Sequence, residues 1–186
     1  VGLFISNAGA DTNGSLFLDA PFNAWQQLIA RNVLAVTQAV YGFAGAMRER
    51  KRGGILLMSS GTALGGAPGV AVYSATKAFD LNLAESLWAE LSDLGIDVLS
   101  SVSPAMNTPS LQKVLAKNNL TVPGLFEAQD VVQTLLARLP DGPTRVFAFG
   151  PDAAQAGQVE KARRERVEMV REASKMFFGD YDKTTG

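Results

Sequence analysis

Short apolar segments alternate along this chain with long segments whose apolar residues recur at helical spacing. The apolar segments, which we predict to be strands, are residues 1–6, 55–58, 96–102 and 145–149. Helices are predicted from Pro21 to Arg52 and over residues 73–94, 130–139 and 152–178. Successive strands joined by long helices are typical of parallel βαβ units, in which helices cover both faces of the sheet. The sequence therefore predicts an α/β fold built on a parallel sheet.

The length of 186 residues suits one domain, and 47% hydrophobic residues are enough for a sizeable core. We assign the strands and their connecting helices to residues 1–150. Residues 151–186 are predicted to be a helical extension of the same domain. The apolar side of that last helix is predicted to consist of Val159, Ala162, Val170, Ala173 and Phe177.

Two residue types are absent. The chain has no histidine and no cysteine, which excludes a Ser-His-Asp triad, a disulfide and any imidazole or thiolate metal site. We therefore predict no bound metal. The net charge of −1 argues against a nucleic-acid partner, and no apolar run approaches the ~20 residues of a membrane span. The lack of cysteine and of a recognisable targeting segment favours a cytoplasmic location.

Polar residues and glycines gather where the predicted strands end. Asn7-Ala8-Gly9 follows the first strand, Ser59-Ser60 the second and Ser103-Pro104 the third. In parallel sheets of this class, ligands bind beyond the carboxyl ends of the strands. The sequence therefore predicts a binding site at this edge of the sheet.

Tyr73 and Lys77 lie four residues apart at the start of a predicted helix, so both side chains face the same side. A phenol has a pKa of about 10, and a fixed cation beside it lets it exchange protons nearer neutrality. Ser60 ends the preceding strand, so its hydroxyl and the phenol could converge on one substrate oxygen. The alternative for Tyr73 and Lys77 is that they are ordinary surface residues of the helix. The alternative for the two serines is that they cap a turn, with Ser59 expected as the cap.

Asn32 interrupts the apolar stripe of the first predicted helix, between Ile29 and Val36. A buried amide without partners costs about 1–3 kcal/mol, so an amide at this position needs a partner. One interpretation is an amide that is satisfied within the core. The other is an amide that binds a water molecule in a proton relay to Lys77.

With these residues in this order, the chain resembles the short-chain dehydrogenase/reductase family. Pro104 to Thr108 is similar to the family's P-G-x-x-x-T, with Ala105 in place of the glycine and one residue fewer before the threonine. The other matching segments are Asn7-Ala8-Gly9, Asn32-Val33, Ser60 and Tyr-Ser-Ala-Thr-Lys at 73–77. The resemblance implies a Rossmann-like fold and an oxidoreductase that interconverts a carbonyl and an alcohol with NAD or NADP.

The resemblance also implies a role for each matching residue. Tyr73 would be the acid/base, and Lys77 would hold the nicotinamide ribose and lower the pKa of Tyr73. Ser60 would bind the substrate oxygen, and Asn32 would position a water behind Lys77. The remaining cofactor contacts would come from Asn7, Ala8, Gly9, Pro104 and Thr108.

The family's T-G-x-x-x-G-x-G segment, which holds the pyrophosphate, has no counterpart in the 186 residues. The resemblance therefore implies the later part of the fold, strands 4 to 7, followed by a C-terminal helix beyond the family's minimal end. Half of the site that binds the cofactor would then lie outside this sequence. The competing interpretation is a non-enzymatic fragment or assembly module that cannot bind cofactor by itself.

Two further expectations concern partners. Helix 73–94 carries two apolar stripes, and the resemblance implies a homodimer or homotetramer that pairs it with the Asn32 helix. The alternative is that the C-terminal helix covers the second stripe within one chain. The apolar stretch 108–126 is predicted to be a lid over the site, and its apolar lining favours a hydrophobic small-molecule carbonyl or alcohol as substrate. The alternative is that these residues only pack on the sheet.

Overall fold

The computed structural model describes residues 1–9, 14–147 and 153–178. Its strands are β1 (Leu3–Ser6), β2 (Gly53–Ser60), β3 (Ile96–Ser103), β4 (Met106–Asn107), β5 (Phe126–Glu127) and β6 (Thr144–Val146). Its α-helices are α1 (Phe22–Ile29), α2 (Ala35–Glu49), α3 (Ala71–Leu91), α4 (Pro109–Lys117), α5 (Ala128–Arg138) and α6 (Ala153–Phe178). None of the helices in these ranges is long and apolar enough to cross a membrane.

Four strands form one parallel sheet in the order β1-β2-β3-β6. Gly54 of β2 pairs with Leu3 on one side and with Asp97 on the other, and Ser100 of β3 pairs with Thr144. Helices connect each strand to the next, so the predicted α/β, Rossmann-like architecture is confirmed. The predicted strand 145–149 begins at residue 144, and its last two residues lie outside the described ranges.

Neighbouring residues of β2 pack on opposite faces of the sheet. Ile55 and Leu57 belong to a buried cluster with side chains of α2 and α3, among them Val40. Leu56 belongs instead to a cluster with Val131 of α5. Successive side chains of a strand point to opposite faces, so β2 is buried on both. This double burial explains why the strand reads as a continuous apolar run in the sequence.

The first predicted helix is not one continuous α-helix. A π-helical segment, Ala30–Leu34, joins α1 to α2. Such a segment adds one residue to a helical turn. The side chains of α2 are therefore rotated about the helix axis relative to those of α1. Asn32 lies inside this segment and is completely buried. Hydrophobic periodicity predicted a helix here correctly but could not show its irregular turn.

The stretch predicted as a lid contains α4 and is closed by a small second sheet. β4 and β5 pair in parallel, Met106 with Phe126 and Asn107 with Glu127. Strands of two residues are too short to leave a periodic signal, so the sequence did not predict them. The pairing holds the two ends of the segment together at the edge of the main sheet.

α6 packs against α3 and β6, but mostly through a different side from the predicted one. Val159 contacts a buried cluster as expected, whereas Phe177 is 81% exposed. Arg163 donates two hydrogen bonds to Glu85 of α3, at 2.6 and 2.8 Å. Glu160 accepts one from the backbone of β6 at 2.7 Å. The predicted apolar side is wrong beyond Val159, because charged residues with partners on other elements set the orientation of this helix.

Candidate active site

β1, β2 and β3 end at the same edge of the sheet, beside the first turns of α3. A cavity of about 130 Å³ opens there. Parallel strands share one direction, and the connection from β2 brings the start of α3 back to this edge. The cavity wall includes six of the residues to which the family resemblance gives a role: Asn7, Gly9, Ser60, Tyr73, Lys77 and Pro104.

Lys77 is buried in this wall, with 4% of the residue exposed. Its Nζ donates one hydrogen bond to the backbone oxygen of Met58, at 2.8 Å, and one to Oδ2 of Asp80, at 3.0 Å. An ammonium group carries three hydrogens. Two of them bind these protein oxygens, so a third remains for a ligand in the cavity.

Tyr73 lies one turn before Lys77 on α3 and is half-buried. The Nζ atom of Lys77 is 5.9 Å from the centre of the phenol ring. The backbone oxygen of Tyr73 accepts a hydrogen bond from Thr76 Oγ1 at 2.8 Å. The four-residue spacing therefore puts a phenol and a buried cation on the same wall of the cavity.

The two serines at the end of β2 have different partners. Ser60 Oγ accepts hydrogen bonds from the backbone nitrogen and the Oγ1 of Thr62, at 3.3 and 3.2 Å, and caps the 3₁₀ turn Gly61–Leu64. Ser59 Oγ donates to the backbone oxygen of Lys77 at 2.7 Å. The expectation that Ser59 is the cap is wrong, because its side chain faces α3. Ser59 instead ties β2 to the helix that carries Lys77.

Asn32 lies behind the cavity wall. Its Nδ2 donates to Thr76 Oγ1 at 3.0 Å, and its Oδ1 has no hydrogen-bond partner among the described residues. A Cβ atom added to Gly9 would lie 3.2 Å from this Oδ1 and 3.1 Å from Lys77 Nζ. Gly9, Asn32 and Lys77 therefore meet at one point, and a larger residue than glycine would crowd it.

Two predicted cofactor contacts do not line the cavity. Thr108 caps α4, where its Oγ1 accepts a hydrogen bond from the backbone nitrogen of Leu111 at 3.2 Å. Ala8 is exposed and lies between Asn7 and Gly9, which do reach the wall. The structure therefore brings together most, but not all, of the residues that the family pattern indicated.

Asp80 is a site residue that the sequence patterns did not indicate. It is 2% exposed, and its Oδ1 has no hydrogen-bond partner in the described part of the chain. Burial raises the pKa of this carboxyl, against the opposing effects of the Lys77 charge and hydrogen bond. An acid three residues after a lysine on one helix face was the available signal, but its burial was not visible in the sequence.

The residues around this cavity match a known family. The sequence model described as short chain dehydrogenase matches residues 1–119. The chain belongs to the short-chain dehydrogenase family.

Curated relatives agree with this membership. A very-long-chain 3-oxoacyl-CoA reductase-like protein of Arabidopsis thaliana is 34% identical over 128 residues, which cover 66% of this chain and 41% of the relative. The very-long-chain 3-oxoacyl-CoA reductase of Homo sapiens is 32% identical over 117 residues, which cover 61% of this chain and 37% of the relative. This short-chain dehydrogenase sequence thus spans about two fifths of the length of these relatives.

A solved structure extends the likeness beyond residue 119. The short-chain dehydrogenase from Sphingobium yanoikuyae, solved in complex with NADPH, is 25% identical with a TM-score of 0.73. The superposition covers 90% of this chain and 65% of that one. The short-chain dehydrogenase fold therefore includes most of the helices and strands described above.

Proposed function

We propose that this protein is an NAD(P)-dependent oxidoreductase that interconverts a carbonyl and an alcohol. The observation that supports this most is the position of Ser60, Tyr73 and Lys77 on the wall of one cavity at the strand ends. A hydroxyl, a phenol and a buried cation beside one small space can bind a substrate oxygen and exchange a proton with it. The family membership of the chain supports the same reaction class.

Tyr73 is the proposed acid in reduction and the proposed base in oxidation. In reduction its phenol gives a proton to the carbonyl oxygen, and in oxidation the phenolate removes the proton of the alcohol. Ser60 accepts both of its observed hydrogen bonds from Thr62, so its own hydroxyl hydrogen is available for the same substrate oxygen. Ser60 would thus hold the oxygen within reach of Tyr73.

The residues present fit the nicotinamide end of the cofactor. Glycine at position 9 leaves room beside Lys77 and Asn32, and the third hydrogen of the Lys77 ammonium can bind a ribose hydroxyl. Asn7 and Pro104 form neighbouring parts of the wall. When bound, NAD(P) would supply or accept the hydride. Asn32 would act through Lys77, because its Oδ1 faces the space beside Gly9.

A hydrophobic substrate of the acyl type fits the surroundings best. Met106 lies on the cavity wall, and the segment that follows it exposes Val114, Leu120 and Val122. Exposed apolar residues beside a cavity can cover an apolar chain. The two curated relatives are described as a very-long-chain 3-oxoacyl-CoA reductase and a similar protein, which supports this class of substrate.

Self-association through α2 and α3 is a further part of the proposal. Tyr41 on α2 is 87% exposed, and a groove between the two helices is lined by Tyr41, Leu83 and Leu87. α6 lies along a different side of α3, near Ser86 and Ala89. We expect light scattering of the purified protein to give the mass of a dimer or tetramer. A monomeric mass at every concentration would contradict this part.

Replacement of Tyr73 tests the reaction. Because the resemblance places half of the cofactor site outside these 186 residues, which we expect to be inactive alone, the complete protein is assayed. The assay uses NADPH and NADH with 3-oxoacyl thioesters of increasing chain length, with sugars and with hydroxy acids. We expect Tyr73→Phe to lower kcat by about a hundred- to ten-thousand-fold, because it removes only the transferable proton. Tyr41→Phe removes an exposed hydroxyl of the same kind but keeps the ring that lines the groove between α2 and α3, so we expect it to change turnover little.

Several outcomes would overturn parts of this proposal. Near-normal turnover by Tyr73→Phe would reject the role of the phenol. A preference for sugars or hydroxy acids would reject the acyl substrate but not the reaction class. No turnover by the complete, unmodified protein with any of these substrates would favour the non-enzymatic alternative.

A further inference from the structure

A carboxyl group is buried beside Lys77, one of the residues of the proposed site. Asp80 and Lys77 lie one turn apart on α3, and their side chains are only 3% and 5% exposed. Asp80 Oδ2 is 3.0 Å from Lys77 Nζ, whereas Oδ1 has no hydrogen-bond partner among the described residues. Burial of a carboxylate with half of its acceptors unused is unfavourable. A contribution to stability therefore does not account for an aspartate at this position.

The groups that the structure places next to Lys77 from the surrounding elements are neutral. Asn32 comes from the π-helical segment, Gly9 follows β1, and the Met58 backbone oxygen comes from β2. On the described wall of the cavity, Tyr73 is the one titratable group besides Lys77. Asp80 binds Lys77 directly, and Lys77 Nζ lies 5.9 Å from the centre of the Tyr73 ring, so Lys77 links the carboxylate to the phenol.

We propose that Asp80 is a positioning residue that balances the charge of Lys77, keeps the proton on Tyr73 and thereby favours reduction of the carbonyl. A lone ammonium beside a phenol stabilises the phenolate. An ammonium with a carboxylate at 3.0 Å forms a dipole instead, and its attraction for the phenolate is much weaker. Asp80 also fixes one hydrogen of Nζ, so that the hydrogen left for a ligand points in a defined direction. This inference rests on the proposed function of Tyr73.

The ionisation of Tyr73 can be measured directly in the full chain. The chain has three tyrosines, so ¹³C labelling at Cζ of the tyrosine rings gives three resonances, and Tyr73→Phe identifies one of them. Asp80→Asn keeps an oxygen that can accept the hydrogen bond from Lys77 and removes only the charge. We expect Tyr73 to lose its proton about one pH unit lower in this variant. An unchanged or higher titration midpoint would overturn the proposal.

Asp97→Asn provides a matched control, because it removes the same charge from an exposed position near the other end of β3. We expect this variant to leave the titration of Tyr73 unchanged. A shift equal to that of Asp80→Asn would mean that net charge, and not the buried pair, sets the midpoint, and would also overturn the proposal.

A double variant keeps the test open if Asp80→Asn does not fold. Lys77→Met with Asp80→Leu removes both charges and places apolar side chains in a buried site, a change that proteins often tolerate. We expect the Tyr73 midpoint to stay within about half a pH unit of the unmodified chain, since the pair is nearly neutral in its effect. A larger rise would show that Lys77 acts unopposed and would reject the proposal. Neither readout depends on turnover, so a failed Tyr73→Phe assay remains a separate result.

Discussion

The two halves of α3 each bury a carboxylate beside a cation, but they do so differently. In the first half, Asp80 binds Lys77 of the same helix through one oxygen, and the other oxygen has no partner among the described residues. In the second half, Glu85 binds Arg163 of α6 through both oxygens and also accepts a hydrogen bond from Thr144 of β6 at 2.7 Å. The Asp80 carboxylate is partly satisfied, whereas the Glu85 carboxylate is bound by groups from two other elements, α6 and β6.

This difference separates two uses of a buried charge. A carboxylate whose acceptors are filled by groups from separate elements joins those elements, so the Glu85 pair holds α6 on α3 and β6. A carboxylate that is bound only by a lysine of its own helix joins no other element, but its charge acts on that lysine. The positions of the two pairs agree with this difference, since Lys77 lines the cavity at the strand ends.

The largest effect is expected when the Glu85 pair is broken. Arg163→Met leaves Glu85 buried without its cation, and breaking a buried pair in this way typically costs about 3–5 kcal/mol. We expect a loss of this size in the free energy of unfolding, measured with urea. Arg166→Met removes the same charge from an exposed position on α6 and is expected to change stability little.

A small loss with Arg163→Met, equal to that of the control, would break the comparison. It would mean that α6 is held by its apolar contacts around Val159 and that the two pairs do not differ in function. Addition of Glu85→Leu to Arg163→Met sharpens the result. Since no unpaired charge is then left buried, we expect part of the lost stability to return.

A smaller effect is expected when the Lys77 pair is displaced without a change of charge. In Gly9→Ala the new Cβ would lie 3.1 Å from Lys77 Nζ, so the ammonium must shift by a few tenths of an ångström. We expect kcat/KM to fall by about tenfold, because positioning errors mainly affect turnover. Some loss of stability accompanies it, because the φ of +157° at Gly9 is one that residues with a side chain rarely adopt. Gly2→Ala is the control, since its Cβ would meet no atom within 4 Å. Equal activity of the two variants would show that the position of Lys77 is not critical.

The sequence predicted the sheet and its ligand-binding edge, because both follow from local patterns. Continuous apolar runs separated by helical periodicity indicate a parallel sheet covered on both faces, and the polar residues at the strand ends mark its carboxyl edge. The docking of α6 could not be predicted in the same way. Arg163 and Glu85 are 78 residues apart in the sequence. No local sequence pattern indicates which distant residue will form an ion pair with a given charge.

Within the candidate site, the spacing of Tyr73 and Lys77 was predictable because helix geometry alone puts them on one face. The burial of Asp80 was not, since periodicity shows which side of a helix is apolar but not which polar residue lies within it. Which of the two serines caps the turn depends on the direction in which each side chain leaves the end of β2. The local sequence pattern does not show this direction. The roles of Asn32, Ser60, Tyr73 and Lys77 in the reaction stay predictions.

The smallest expected effect is on the pH dependence of stability. The sign of the slope of the free energy of unfolding against pH tests whether Asp80 differs from Glu85. Burial raises the pKa of Asp80 in the folded chain above its usual value of 3.8. Between these two values the folded state binds more protons than the unfolded state, so the contribution of Asp80 to stability falls as pH rises. Relative to Asp80→Asn, we therefore expect the unmodified chain to lose stability from about pH 4 upward and to level off above the raised pKa. Urea unfolding of both proteins at several pH values between 4 and 7 measures this difference. An opposite slope would mean that the attraction of Lys77 outweighs the cost of burial, and Asp80 would then be a structural partner of the same kind as Glu85.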